Sequence, residues 1–453
     1  MKNINKKLIL FLCGLATSFM YTPFFLIFIP FFTFPYLFDK ITNAKNKKIA
    51  FANSFLFCFG YFLGNLYWIS ISLFTDIKSF WWLVPFAISI IPAIVSILFS
   101  TFCLLFYIFK TKNTVINVLI FSIFWVIAEY LRNFTFLGLP WNLPVNSLTF
   151  SSILLQPVSL LNSYIYSIIL LILFLSKKVY KTNFFKAILI IFFGLMIFSF
   201  IKIKSNNIAK KDINIRIVQP NIPQTLKWDK EIERKNFETL INLSLSEGYE
   251  NIDYFIWPES AITYLFYEKR DNNELLNELN EKLLKDKKTL ISGVITYDEK
   301  NIYNSLITIK GNEVIDIYKK HFLVPFGEFI PYRKFIPFIN KITAGSMDFS
   351  KGAIAKNIKT EDFIFSPNIC YESIFYKSIN KNSDLIINIT NDAWFGKSSG
   401  PFQHFEHLKL RAVENNMFVI RSANSGISGL IDNKGKVLNK IKLGEKGVVD
   451  VRI

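Results

Sequence analysis

Phe363-Ile364-Phe365-Ser366-Pro367-Asn368-Ile369-Cys370-Tyr371-Glu372-Ser373-Ile374-Phe375 is a strand that runs into a cysteine and then into residues able to start a helix. A strand feeding a helix is a building unit of a layered α/β domain. The same texture extends on both sides. Upstream, Ile213–Val218, Tyr254–Trp257 and Thr289–Ile295 read as β-rich strands, and Lys230–Glu247 and Asn273–Lys285 have helical spacing. Ile302–Ile309 and Glu313–Tyr318 pair as a hairpin around Lys310-Gly311-Asn312. Downstream, strands are expected at Asp384–Thr390, Met417–Arg421, Gly429–Ile431 and Gly447–Val451. Alternating strands and helices imply a layered α/β architecture with buried sheets. No internal repeat and no low-complexity linker interrupts it.

The first two hundred residues differ. Of the 453 residues, 51% are hydrophobic and 49 are Phe, and the apolar residues crowd the N-terminal part. A span needs about 20 apolar residues. Candidates are 8–21, 22–38, 49–75, 81–109, 115–135, 150–176 and 184–203, a helical bundle of about seven spans. The first two meet at Tyr21-Thr22-Pro23 and form either a tight hairpin or one broken helix. Two domains follow: a transmembrane bundle over 1–204 and a second domain over 205–453, joined by a short basic tether at 204–212.

The net charge of +18 is distributed in a way that argues against nucleic acid. With the N-terminus inside, segments 1–7, 39–48, 110–114 and 177–186 hold thirteen lysines, and the outside loops hold only Lys78 and Arg132. Basic residues favour cytoplasmic loops. An odd number of spans then places the second domain outside, on the extracytoplasmic face of the membrane. Lys2, Lys6 and Lys7 precede an apolar run with no small-residue cleavage site, so the first segment reads as a retained helix. Glu129 and Arg132 lie three residues apart on one helix face, as either a functional pair at membrane depth or an interfacial ion pair. Gly138-Leu139-Pro140-Trp141 reads as a rigid turn, and Trp81 and Trp82 as interfacial belt residues.

Cys13, Cys58 and Cys103 sit in apolar spans as small hydrophobes, while Cys370 is alone in its domain. A lone thiol at a strand-to-helix junction feels the helix N-terminus, which favours thiolate. Thiol chemistry on an ester or amide also needs a base and an anion stabiliser. Glu259, in Phe255-Ile256-Trp257-Pro258-Glu259 where a strand stops at Pro, suits the base. Lys320, just past the strand Glu313–Tyr318, suits the oxyanion.

Three strings resemble the motifs of the carbon–nitrogen hydrolase (nitrilase-like) superfamily. They are Trp257-Pro258-Glu259-Ser260-Ala261, the run from Tyr318 to Glu328, and Asn368-Ile369-Cys370-Tyr371-Glu372. With the preceding spans, the chain resembles that superfamily's membrane-bound branch, the apolipoprotein N-acyltransferase family. Gln219-Pro220-Asn221-Ile222, Lys227-Trp228, Asn391-Asp392-Ala393-Trp394-Phe395-Gly396, Gly400-Pro401-Phe402-Gln403-His404 and the run from Arg421 to Ile427 match too. So do Glu129-Tyr130-Leu131-Arg132 and Leu139-Pro140-Trp141 in the membrane part.

The resemblance implies a four-layer αββα sandwich, with Glu259 as general base, Lys320 as oxyanion stabiliser and Cys370 as nucleophile. Glu328 matches a second carboxylate that helps hold the tetrahedral intermediate, and Tyr371, Glu372 and Trp228 match supporting positions. It implies ping-pong acyl transfer from a phospholipid, usually phosphatidylethanolamine, to the N-terminal amine of a diacylglyceryl-cysteine on a lipoprotein. Neither cofactor nor metal is implied, and nothing demands more than a monomer. Relatives usually continue into a further transmembrane helix where this sequence reads as strand, Val449–Ile453, so a single covalent tether is expected. Phe326–Ile342 reads as either an amphipathic arm at the interface or a buried loop.

Other readings compete. Gly396-Lys397-Ser398-Ser399-Gly400 formally matches a serine-hydrolase elbow with His404 and His407 nearby, but Asn391–Gly396 separates it from the preceding strand. His404 and His407 have zinc-ligand spacing without a third ligand type. Water in place of the amine would make the protein a membrane-tethered amidase.

Overall fold

A computed structural model describes residues 2–135, 138–205, 212–268, 273–285, 288–335, 341–343 and 347–453. The chain divides into two compact units, Met1–Asn206 and Asn207–Ile453.

The first unit is helical. Its main helices are Lys2–Ser18, Pro30–Thr42, Lys47–Leu66, Val84–Phe109, Thr114–Leu131, Val158–Phe174 and Asn183–Lys204. Asn46, Asn113 and Thr182 cap three of them by accepting backbone N–H groups of the first turn. Aromatic rings fill the centre: Phe34 meets Trp125 edge-on at 5.1 Å and stacks on Phe174 at 5.9 Å. The outward faces stay apolar, with Ile190 72% exposed, as a helix facing lipid would be.

Three stretches are long and apolar enough to cross a membrane: Lys47–Phe109, Thr114–Phe134 and Asn183–Lys204. Val158–Phe174 is apolar but shorter. Seven crossings are more than these lengths establish. The 63-residue stretch Lys47–Phe109 contains two long helices joined by tighter turns, so it runs without the break expected between 75 and 81. At the N-terminus, the helix ends at Ser18 and the next starts at Pro30. The link between them holds the cis Thr22–Pro23 bond and a bond from Leu26 N–H to the Phe19 carbonyl. Glu129 and Arg132 form an ion pair inside this unit, both essentially without exposure. Arg132 also donates to the Trp141 carbonyl at 2.7 Å, which ties the Gly138–Trp141 turn to the helix end. Trp81 and Trp82 are exposed, as belt residues would be. Most of the expected tether lies outside the described residues.

The second unit is a sandwich of two sheets. Its strands are β1 (Asn214–Gln219), β2 (Tyr254–Ile256), β3 (Ile262–Tyr267), β4 (Thr289–Tyr297), β5 (Ile302–Lys310), β6 (Glu313–Lys319), β7 (Ile358–Lys359), β8 (Ile364–Ile369), β9 (Leu385–Thr390), β10 (Phe418–Ala423), β11 (Ser428–Ile431), β12 (Val437–Ile441) and β13 (Gly447–Arg452). One sheet runs β13-β1-β2-β4-β5-β6, with β3 added beside β4, and the other runs β12-β11-β10-β9-β8-β7. The parallel pairs β1/β2, β2/β4, β8/β9 and β9/β10 form the centres.

Period-2 alternation builds the layers. Ile215, Ile217, Ile256, Ile291 and Leu306 of the first sheet meet Phe365, Ile387, Ile389 and Ile420 of the second. The opposite face of the first sheet, with Phe255, Trp257 and Leu290, packs on Phe237, Leu240 and Ile241 of the helix Glu233–Ser244. The opposite face of the second, with Ile386 and Val419, packs on Phe405, Leu408 and Ala412 of the helix Ser399–Asn415. The result is the four-layer αββα arrangement. The last strand pairs antiparallel with β1, Val451 opposite Ile215.

Candidate active site

Glu259 follows the end of β2. Trp257 N–H still bonds the Ile291 carbonyl at 2.9 Å, and Pro258 then ends the ladder because it has no N–H. The Pro258 carbonyl takes Gly293 N–H at 3.2 Å. Gly293 permits this approach: a Cβ there would stand 2.4 Å from Ser260 N and 2.6 Å from Glu259 Cα. Trp257 is fully buried and donates from its ring to Ser244 Oγ at 2.9 Å, which fixes the segment from behind. The Glu259 carboxylate is 7% exposed and accepts from Asn304 Nδ2 at 2.8 Å.

Lys320 follows β6. Its N–H bonds the Asn304 carbonyl at 2.9 Å, which prolongs the β5–β6 pairing to the lysine itself. Its Nζ lies 3.0 Å from Glu328 and 3.5 Å from Glu259. Burial opposes the ammonium charge, but the Glu328 and Glu259 carboxylates outweigh it and hold the lysine above its ordinary value. Glu328 is itself pinned, by Val324 N–H at 2.8 Å and by the same Asn304 Nδ2 at 2.7 Å. One amide nitrogen therefore bridges the two carboxylates that flank the cation.

Cys370 comes from the other sheet. β8 delivers it with φ +49°, and it opens a single tight turn, Cys370–Ile374. It is 8% exposed, and all four cysteines are free. Burial pushes the thiol up, the Glu259 charge adds to that, and Lys320 opposes it. The expected thiolate is thus overturned. A five-residue turn has little dipole to offer, and desolvation dominates. The resting group is a thiol that needs a base.

Glu372 joins the two sheets' contributions. Its Oε2 accepts from Ile369 N–H at 2.8 Å, and its Oε1 from Tyr318 Oη at 2.8 Å, His321 N–H at 2.8 Å and Phe322 N–H at 3.2 Å. It is fully buried, and burial raises its carboxyl against these donors. Tyr371 is buried with its ring edge-on to Phe375 at 5.3 Å. Trp228 stays 38% exposed, and among the described residues no hydrogen bond joins it to the cluster. Its neighbour Lys227 is buried and donates to the Glu259 carbonyl at 2.7 Å. Burial brings that ammonium down to about 8, opposed by Glu259 and Cys370.

Within Phe326–Ile342, Tyr332 and Phe335 are 68% and 82% exposed, and part of the segment lies outside the described residues. Ser398 is no elbow nucleophile: it caps the helix Ser399–Asn415, accepts from Gly400 N–H at 3.2 Å and donates to the Phe395 carbonyl at 2.7 Å. His404 is not placed for zinc either, since its Nδ1 meets Asp392 at 2.8 Å and its Nε2 the Cys370 carbonyl at 3.0 Å. Asn304 is a residue here that the sequence reading did not single out, and Lys227 was noted there only as part of a family match. Their signal is a polar side chain at an inward position: Asn304 lies in an otherwise apolar strand, Lys227 beside the Glu259 loop.

Glu259 and Lys320 thus stand 3.5 Å apart among buried groups, and both charges act on the buried Cys370 thiol. The family profile described as carbon-nitrogen hydrolase matches residues 214–453. The profile described as apolipoprotein N-acyltransferase N-terminal domain matches residues 13–176. An apolipoprotein N-acyltransferase of Rickettsia typhi is 38% identical over 97% of this chain and 90% of its own length. Those of Rickettsia prowazekii (38%, 97% and 90%) and Brucella melitensis (31%, 98% and 89%) align as extensively. Profile matches in both units and full-length identity of this order place the chain in the apolipoprotein N-acyltransferase family, within the carbon–nitrogen hydrolases.

Proposed function

We propose that the protein moves an acyl chain from a phospholipid to the N-terminal amine of a diacylglyceryl lipoprotein, with Cys370 carrying the acyl group between them. Glu259 takes the Sγ proton as sulfur attacks the ester carbonyl of the lipid. The oxyanion forms facing the Lys320 ammonium, which Glu328, itself pinned by Asn304, holds in place. The intermediate collapses, the carbon–oxygen bond breaks, and Glu259 returns the proton to the departing lysophospholipid alkoxide. A Cys370 thioester remains. The lipoprotein amine then attacks the thioester carbonyl, Glu259 accepts the amine proton, and the sulfur leaves and is reprotonated. The products are an amide and the free thiol.

What supports this reading is a Glu259–Lys320 pair 3.5 Å apart whose charges both act on the buried Cys370 thiol. The raised thiol makes a paired base a requirement. Phosphatidylethanolamine is the expected donor, the protein acts as a monomer, and the catalytic unit faces the extracytoplasmic side of the inner membrane, as the lysine distribution argues.

Mass spectrometry of the purified full chain mixed with phosphatidylethanolamine tests it. An acyl adduct on Cys370 is expected, absent in Cys370→Ala and kept in Ser398→Ala. Loss of the adduct in the serine variant alone overturns the assignment. With a diacylglyceryl-cysteine peptide added, the expected product is the N-acyl peptide, and release of free fatty acid alone would mean water is the acceptor.

A further inference from the structure

The nucleophile sits in an unusual backbone conformation. A residue other than glycine at φ +49° is strained and persists only where its surroundings enforce it. Glu372 steadies the approach to Cys370 by holding Ile369 N–H, in the peptide one step before the one that joins Ile369 to Cys370. The peptide after it is held by His404, whose Nε2 donates to the Cys370 carbonyl at 3.0 Å.

His404 is 1% exposed and is anchored through a chain of buried groups. Its Nδ1 lies 2.8 Å from Asp392 Oδ1, and Asp392 Oδ2 takes an Arg421 guanidinium N–H at 2.5 Å. Arg421 reaches on to Asn388 Oδ1 at 2.9 Å and the Ile427 carbonyl at 3.0 Å. Nε2 faces the Cys370 carbonyl, and Nδ1 faces Asp392 with Arg421 Nη2 3.3 Å away. Gly426 leaves room for the carboxylate, since a Cβ there would stand 2.4 Å from Asp392 Oδ2. A buried ionic chain is an expensive way to fill space that an apolar side chain could fill. What the chain does that a leucine could not is aim a donor at one carbonyl.

We propose that His404 is a positioning residue for Cys370: it fixes the peptide plane after the nucleophile and so directs the thiol at Glu259 and Lys320. The inference rests on the reading of Cys370 as the acyl carrier. It makes no use of His404 as base or ligand, and it predicts that the donor at the Nε2 position matters, whereas the imidazole itself does not.

The test compares His404→Asn with His404→Gln in the full-length protein. The Asn amide occupies the Nδ1 position and can still meet Asp392, but it does not reach the Cys370 carbonyl. The Gln amide places a donor where Nε2 stood. The readout is the single-turnover rate of adduct formation on Cys370 with phosphatidylethanolamine, per folded protein, as a function of lipid concentration. His404→Asn should slow the maximal rate by about tenfold or more, the scale expected for a misaimed reacting atom. The half-saturating lipid concentration should stay unchanged, and His404→Gln should recover most of the rate. An Asn variant that acylates at the wild-type rate, or a Gln variant as slow as Asn, overturns the inference while the nucleophile reading stands. A wild type that makes N-acyl product with no adduct on Cys370 overturns both.

Discussion

His321 N–H donates to the Glu372 carboxylate at 2.8 Å, and this bond ties the turn that carries the thiol to the loop that carries the ammonium. Three further donors share the carboxylate. Glu372→Ala would leave four donors without an acceptor, two of them buried and two partly buried, the buried ones at about 1–3 kcal/mol each before relaxation. A melting curve of the full chain should show a loss of at least about 3 kcal/mol, and a smaller one for Glu372→Gln, which keeps one acceptor oxygen. An alanine variant as stable as the wild type would refute the clamp.

The Glu259 charge helps to keep Cys370 protonated. Glu259→Gln should therefore abolish turnover and yet let iodoacetamide alkylate Cys370 faster at mildly alkaline pH. Lys320→Met, which removes the opposing charge, should slow alkylation. Slower alkylation in Glu259→Gln would contradict a thiol held up by the neighbouring carboxylate.

Burial works against the Asp392 charge, but Arg421 and His404 outweigh it and bring the carboxyl down to about 2 from an ordinary 3.8. A folded value below the unfolded one adds stability above about pH 4 that is lost as pH falls through about 2. Over this interval that amounts to about 2 kcal/mol. Asp392→Asn should melt lower than the wild type at pH 6, with the gap closing as the pH is taken from 4 toward 2. A gap independent of pH would show that the charge is not what Asn loses.

Lys436 is exposed on the catalytic unit. In Lys436→Cys, an impermeant maleimide should label intact spheroplasts. Protection there, with labelling after lysis, would place this unit in the cytoplasm.

Much of the sandwich was legible because its central strands are apolar runs bounded by turn residues, and the hairpin around Gly311, with φ +57°, stands where its turn residues put it. The strands that escaped are marginal ones. β3 is half exposed, and β12, Val437-Leu438-Asn439-Lys440-Ile441, is an edge whose polar residues resemble a loop. The helix Ser399–Asn415 had readable signals, a serine cap and a proline in the first turn, but Gly400-Pro401 also looks like a break. The bundle misled differently. Apolar length marks a helix but not where one crossing ends, so the stretch Lys47–Phe109 was divided more cleanly than it folds.

Of the residues described at the site, Glu259, Lys320 and Cys370 stood out because each follows a strand with a distinctive neighbour, whereas Glu328 and Glu372 came only from the family resemblance. Asn304 did not stand out, since only the third dimension shows that its amide reaches two carboxylates from distant turns. The state of the thiol was misjudged because a strand-to-helix junction says nothing of depth.

The thiol and its two charged partners belong to opposite halves of the sandwich: Cys370 leaves β8, while Glu259 and Lys320 leave β2 and β6. In the proposed mechanism neither half suffices by itself, so the sulfur of a half-folded chain stays unarmed and self-acylation waits until both halves have closed on one another.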